Sequence, residues 1–241
     1  MIQRPDGRKP EEIRPLKITP HFIEWADGSV LIEAGKTRVI CSANVQDGVP
    51  AWLRGQGCGW VTAEYSMLPA STPERTMREA IRGKQSGRTL EIQRLVGRSL
   101  RTVVDLEAIG DRTVWVDCDV IQADGGTRCA SVSGAYVALY LALKKLVDQD
   151  YIKEIPLKDS VAAVSVGVWE GVPVLDLDYI EDSHADTDMN VVLTGAGEIV
   201  ELQATAEKVA FSRELLDELI DMAAMGVGII AGEQLRVTAS R

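Results

Sequence analysis

The stretch from 127 to 147 limits the possible folds more than any other part of this chain. It reads as a helix that is apolar nearly all the way round, through Tyr136-Val137-Ala138-Leu139-Tyr140-Leu141. A helix without a polar face has to be covered on every side. The surrounding elements must therefore form layers about it, and 241 residues are enough chain to do so.

Alternating runs predict strands at 29–34 and 37–45, joined by a Gly-Lys turn, and further strands near 59–65 and 112–120. A helix is expected over 88–107, where Ile92, Leu95, Val96, Leu100 and Val103 recur at three- and four-residue spacing. Arg94, Arg98 and Arg101 occupy a neighbouring stripe. Beyond the central helix, strands are expected at 161–169 and 172–178, turning at Glu170-Gly171, and at 190–194 and 198–204. An amphipathic helix is expected at about 207–225, with Leu215, Leu216 and Leu219 inward. This order is mixed α/β, β-rich first and then helices alternating with hairpins, and it is neither a Rossmann nor a TIM pattern.

No linker, low-complexity tract or short repeat divides the chain. Its apolar runs are broken by Gly, Ser or charge short of bilayer length, and MIQRPDGRKPEEIRP has no signal core, so no membrane association and a cytoplasmic location are expected. Four separated cysteines, with no C-x-x-C and no His nearby, are expected to be reduced and mostly buried. The net charge of −10 argues on average against a polyanionic partner. The charges are segregated, however. From Arg75 to Arg101 there are eight basic residues (Arg75, Arg78, Arg82, Lys84, Arg88, Arg94, Arg98, Arg101) against Glu79 and Glu91, whereas 170–218 is acidic. Solvated helix faces would account for such runs, and so would separate phosphate and cation sites.

Three segments carry the chemistry. Ala34-Gly35-Lys36-Thr37 mimics the end of a P-loop, but the glycine required five positions earlier is Val30, and the segment sits in a hairpin. A better phosphate site is Ala123-Asp124-Gly125-Gly126-Thr127-Arg128, which runs from an apolar strand into the central helix. Unpaired first-turn amides face an anion there, with Thr127 and Arg128 beside them; a plain glycine turn with a threonine cap is the alternative. Ser86-Gly87-Arg88-Thr89 begins another helix with an arginine in its first turn, where the helix dipole favours acids, so Arg88 needs an anion or carboxylate partner. The third segment, 176–188, holds six carboxylates in thirteen residues. They must be solvated, paired with arginines or bound to a hard cation; His184 within the segment is expected at the surface.

Together RPDGRKPEEIRP, LRGQGCGWVTAEYSMLP, GKQSGRTLEIQRLVGRSLR, DCDVIQADGGTRCAS and DYIEDSHADTDMNVV resemble the corresponding stretches of the ribonuclease PH family, in the same order, from about residue 4 to residue 225. The resemblance implies a ribosomal-protein-S5-domain-2-like βαβα fold, as a single domain over 1–241 whose core spans about 4–225 before a C-terminal helix and tail. It implies a phosphate-dependent 3′-to-5′ exoribonuclease that trims RNA 3′ ends, those of tRNA precursors among them, to nucleoside 5′-diphosphates. It also implies a homohexamer built as a trimer of dimers, and Mg²⁺ as cofactor. Carried over by position, Arg88, Gly126, Thr127 and Arg128 bind phosphate. Asp182 and Asp188 are catalytic and metal-associated, and Arg75 and Arg78 serve RNA contact and subunit association. Ala70 stands where relatives carry an arginine, which touches an RNA or interface contact and not the chemistry. Two other readings belong to different classes. A non-catalytic ring subunit would have lost the arginines or aspartates, and a hydrolytic metallonuclease would have no use for the Gly-Gly-Thr-Arg cradle.

Overall fold

The cover over the central helix is supplied by two sheets. A computed structural model of the chain describes residues 3–208 and 210–239. The strands β1 (Leu16–Pro20), β2 (Gly28–Ala34), β3 (Thr37–Asp47), β4 (Trp60–Met67) and β5 (Arg112–Gln122) form the first sheet in the order β1-β2-β3-β5-β4. All its pairings are antiparallel except that of β4 with β5. The second sheet contains β6 (Val161–Trp169), β7 (Val172–Leu175), β8 (Thr187–Thr194) and β9 (Ile199–Ala206), antiparallel in the order β7-β6-β8-β9. The helices are α1 (Glu79–Arg82), α2 (Gly87–Val103), α3 (Leu106–Ile109), α4 (Thr127–Asp148), α5 (Tyr179–His184) and α6 (Arg213–Ala239).

The central helix, α4, packs on β2 and β3 of the first sheet and on β6 of the second. The period-2 rule sorts the strand residues. Val39, Cys41 and Ala43 of β3 and Val114, Val116, Cys118 and Val120 of β5 are buried toward the helix layer, while Trp115, Asp117 and Asp119 alternate onto the outer face. Strand β6 is buried on both faces: Val161 and Ala163 join the α4 core, and Ala162, Val164 and Val166 join a second core with Leu219, Ala223, Val227 and Ile230 of α6. The layers therefore run first sheet, α2 with α4, second sheet, α6. By length and composition α4 would cross a bilayer, contrary to the expectation that every apolar run is too short; it is instead the core helix, with 78% of that window buried. All four cysteines are free, and three of them are buried.

The hairpins at 28–47 and 161–175 and the helices at 87 and 127 lie where periodicity predicts them. Several elements differ in their bounds. Helix α2 ends at Val103, because Val104 bridges to Leu157 and Asp105 then caps the short α3 through the Glu107 and Ala108 amides. The strand expected to reach 178 stops at Leu175, and β9 continues to Ala206 along β8. The last helix begins at Arg213 and runs to Ala239 instead of 225. Glycines at 226, 228 and 232 lower its intrinsic propensity, but burial of Val227, Ile230, Gln234 and Val237 carries it through them. Strand β1 was not anticipated.

Candidate active site

Strand β5 delivers the chain to Gly125 and Gly126, both left-handed (φ +74° and +64°), and Gly126 begins α4 without a side-chain cap. The first-turn amides of this long helix are thus left for an external acceptor. A Cβ on Gly125 would lie 2.7 Å from the Leu177 carbonyl oxygen and the Asp178 carbonyl carbon, so glycine lets this loop touch the acidic segment backbone to backbone. Thr127 is buried, and its hydroxyl accepts a 3.0 Å bond from the Tyr65 phenol of β4. The Arg128 guanidinium donates to Gln203 Oε1 (2.6 Å) and lies 3.5 Å from Glu91 of α2. One of the two acids in the basic stretch, Glu91, thus faces Arg128. The other, Glu79, accepts from the Ser86 amide and the Thr89 hydroxyl at the start of α2.

Arg88 sits in the first turn of α2, exposed, with no ion pair among the described residues. The charges of Arg88 and Arg128 both act on Tyr65 and on Asp182, so the two arginines lie within electrostatic reach of the same groups. Arg78, Arg82, Lys84 and Arg88 line one wall of an adjoining cleft of about 920 Å³. Its floor, the outer face of the first sheet, carries Glu64, Asp117 and Asp119. Arg75 and Arg78 are exposed in the coil before α1, and Ala70 is exposed in the same connection.

The acidic segment is not a loop. Asp178 caps α5, accepting from the Glu181 amide (2.9 Å) while Glu181 accepts from the Asp178 amide (3.0 Å), a reciprocal capping box. Four of the six carboxylates have structural partners. Asp176 is bound by Arg14 at 2.6 and 2.9 Å, Glu181 by Arg4 at 2.6 and 2.7 Å, Asp186 by Lys208 at 2.7 Å, and Asp178 is the cap. Asp182, exposed on α5, has no side-chain hydrogen bond or ion pair among the described residues, and Asp188 on β8 has only a 3.4 Å bond from Asn190. Partial desolvation pushes the Asp182 carboxyl up, with Glu207 adding and Arg88, Arg128 and Arg14 opposing. Burial, and then the charge of Asp182, raise Asp188 to about 6. His184 lies at the surface, bonded to Ser183 and the Ile180 carbonyl.

No group of three or more His, Cys, Asp or Glu side chains among the described residues forms a metal cage. Two mutually repelling carboxylates are nonetheless a donor set that suits Mg²⁺, which keeps waters and takes one or two carboxylates plus substrate phosphates.

Two models of the 3′ exoribonuclease family match the chain, domain 1 over residues 12–145 and domain 2 over residues 159–226. This chain belongs to the 3′ exoribonuclease family. A curated ribonuclease PH of Syntrophomonas wolfei is 60% identical over 226 residues, which is 94% of this chain and 95% of that one. Two solved structures share the fold. Rice (Oryza sativa) Rrp46 matches with a TM-score of 0.79 at 19% identity over 98% of this chain and all of that one. An Archaeoglobus fulgidus exosome with RNA bound to the active site matches with a TM-score of 0.80 at 24% identity over 96% and 92%.

Within the family site, sequence reasoning missed Arg4, Arg14, Thr37 and Tyr65. Arg4 and Arg14 fall in the RPDGRKPEEIRP stretch, which was visible only as a match. Thr37 closes the false P-loop and bonds the back of the Gly125-Gly126 loop, through Gly125 O (2.7 Å) and the Asp124 amide (2.9 Å). Arginines in a stretch so poor in apolar residues were the one available signal, since a fold seldom buries them without an acidic partner.

Proposed function

We infer that this protein is a phosphate-dependent 3′-to-5′ exoribonuclease. Family membership and 60% identity to a ribonuclease PH support the activity. The roles of individual residues rest on one observation. The charges of Arg88 and Arg128, the latter beside an uncapped helix end, act on Asp182, and that of Arg128 on Asp188, the two carboxylates of the acidic segment with neither an ion pair nor a capping role among the described residues.

Inorganic phosphate binds between Arg88 and the Gly126–Arg128 amides. Attack of one of its oxygens on the last phosphodiester forms a P–O bond and breaks the bond to the upstream ribose 3′-oxygen. Both reactants are anions, and fixed cations and backbone amides offset their repulsion without reorganising. Positioning supplies much of the remainder. Asp182, raised by its surroundings, gives the leaving 3′-oxygen its proton, and a nucleoside 5′-diphosphate departs. Mg²⁺, held by Asp188 and Asp182, would supply further positive charge to the phosphate oxygens. Arg75 and Arg78 bind the RNA backbone with little regard for sequence. The substrates are RNA 3′ ends, tRNA precursors among them. The working assembly is a ring-shaped homohexamer, a trimer of dimers, in the cytoplasm.

A 3′-tailed RNA incubated with and without inorganic phosphate tests this reading. Nucleoside diphosphates are expected only when phosphate is present. Monophosphates released without phosphate would mean a hydrolytic nuclease, and no release under either condition would favour a non-catalytic subunit.

A further inference from the structure

The phosphate loop contains a polarity problem. The Gly125 and Gly126 amides must turn toward an anion, yet each of their peptides carries a carbonyl of opposite sign, and one carbonyl swung the wrong way would repel the phosphate. In a planar trans peptide the N–H points opposite to the C=O, so whatever holds the carbonyls also aims the amides. Two residues hold them. Arg14 Nη1 donates to the Asp124 carbonyl (2.5 Å) and, at 3.4 Å, to that of Gly125. The Thr37 hydroxyl donates to the Gly125 carbonyl at 2.7 Å and accepts from the Asp124 amide at 2.9 Å. Both side chains are buried.

Arg14 has a second hand. Its Nε and Nη2 grip Asp176 at 2.9 and 2.6 Å, and its own backbone amide donates to the same carboxylate at 2.8 Å. Asp176 is left-handed (φ +54°) and heads the segment that leads into α5 and Asp182. A Cβ on Gly126 would lie 2.9 Å from Arg14 Nη2, so the first residue of the α4 cradle rests on this guanidinium. One side chain therefore fixes both the direction of the phosphate-binding amides and their spacing from the acid on α5.

We propose that Arg14 and Thr37 are positioning residues that set the polarity of the phosphate cradle by holding the Asp124 and Gly125 carbonyls away from the anion. The proposal rests on the phosphorolytic reading above. Neither residue touches substrate, and their effect appears in the phosphate term. A lysine at position 14 keeps the charge but cannot hold Asp176 and two carbonyls together. Thr37→Val keeps the shape and loses both hydrogen bonds.

The test is steady-state phosphorolysis of a 3′-tailed RNA by R14K and T37V, alongside direct binding of inorganic phosphate by calorimetry and thermal unfolding of each variant. The expected result is a KM for phosphate raised roughly tenfold or more in R14K and roughly three- to tenfold in T37V, with KM for RNA unchanged. The calorimetric Kd for phosphate should rise in parallel. Folded variants with wild-type phosphate KM and Kd would overturn the proposal, even if kcat fell with stability. Should R14K not fold, T37V decides alone, because it loses no charge. Wild-type enzyme that released nucleotide without phosphate would instead remove the phosphorolytic reading, so the two failures are distinguishable.

Discussion

Removing Arg4 should destabilise the protein more than any single surface change, through a carboxylate far from it in sequence. Arg4 is 1% exposed, and its Nε and Nη2 meet Glu181 Oε1 and Oε2 at 2.6 and 2.7 Å, 177 positions away. The same guanidinium donates to the carbonyls of Asp176, Lys9 and Glu12, each at 3.1 Å. In Arg4→Met, Glu181 keeps the Asp178 amide and an Arg8 contact at 3.5 Å, and its buried charge is otherwise uncompensated. Breaking a buried pair in this way costs about 3–5 kcal/mol. A chain of this size loses about 2–4 °C of Tm per kcal/mol, so the expected fall is about 6–20 °C by circular dichroism near neutral pH. The double variant Arg4→Met with Glu181→Met should recover most of that loss, because an apolar pair of similar volume replaces the ion pair. A fall of less than about 2 °C in the single variant would refute the reasoning: Arg8 would then be carrying Glu181.

The other predictions concern the cleft. Arg88→Ala should raise the phosphate KM roughly tenfold or more while RNA binding, followed by filter retention, stays nearly intact. Asp182→Asn should abolish turnover with assembly unchanged by light scattering; normal rates in that variant would remove the proton-donor role. Asp188, raised to about 6 by burial and by Asp182, costs the folded state free energy once it ionises. With a folded pKa above the unfolded one, this penalty is absent below about pH 4 and complete above about pH 6. Asp188→Asn without divalent cations should therefore be more stable than the parent by about 1–3 kcal/mol at pH 7.5 and equal to it at pH 3.5. An equal gap at both pH values would count against the like-charge pair.

Period and punctuation made most of the scaffold legible. Strands with a single buried face and the all-apolar α4 announce themselves, because burial dictates their residue types. What escaped had a different physical cause in each case. The last helix hides behind glycines that tertiary packing overrides. Helix α5 hides behind its own acidity: six carboxylates in thirteen residues read as a repelling loop, although Asp178-x-x-Glu181 is a capping-box spacing and was readable as a helix start. At the site, Arg88, Thr127 and Arg128 stand out because each lies beside a glycine at a helix start, whereas Asp182 and Asp188 were singled out from six carboxylates only by the family resemblance. Arg14 and Arg4 were not legible, since the acids they meet lie 162 and 177 positions away and nothing local marks the pairing.

That long-range pairing explains why an acidic segment can serve an enzyme that binds polyanions. The N-terminal stretch inserts Arg4, Arg8 and Arg14 beside Asp176 and Glu181. Burial works to raise the Asp176 carboxyl, but hydrogen bonds and charge from Arg14, with the charge of Arg8, hold it below its ordinary range. Lys208 does the same for Asp186 by direct hydrogen bonding. Asp176, Glu181 and Asp186 are thereby paired with cations, and Asp178 is held by the Glu181 amide. Among the described residues, Asp182 and Asp188 are the carboxylates of the segment with neither an ion pair nor a capping role, and their carboxyls are raised instead of lowered. Raised carboxylates without a structural partner, in a segment whose other acids have one, are held at a cost in stability, and such a cost points to chemistry. The arginines of the N-terminus thus act by subtraction, leaving Asp182 and Asp188 within the fields of Arg88 and Arg128, the charge arrangement on which the proposed phosphate and cation sites rest.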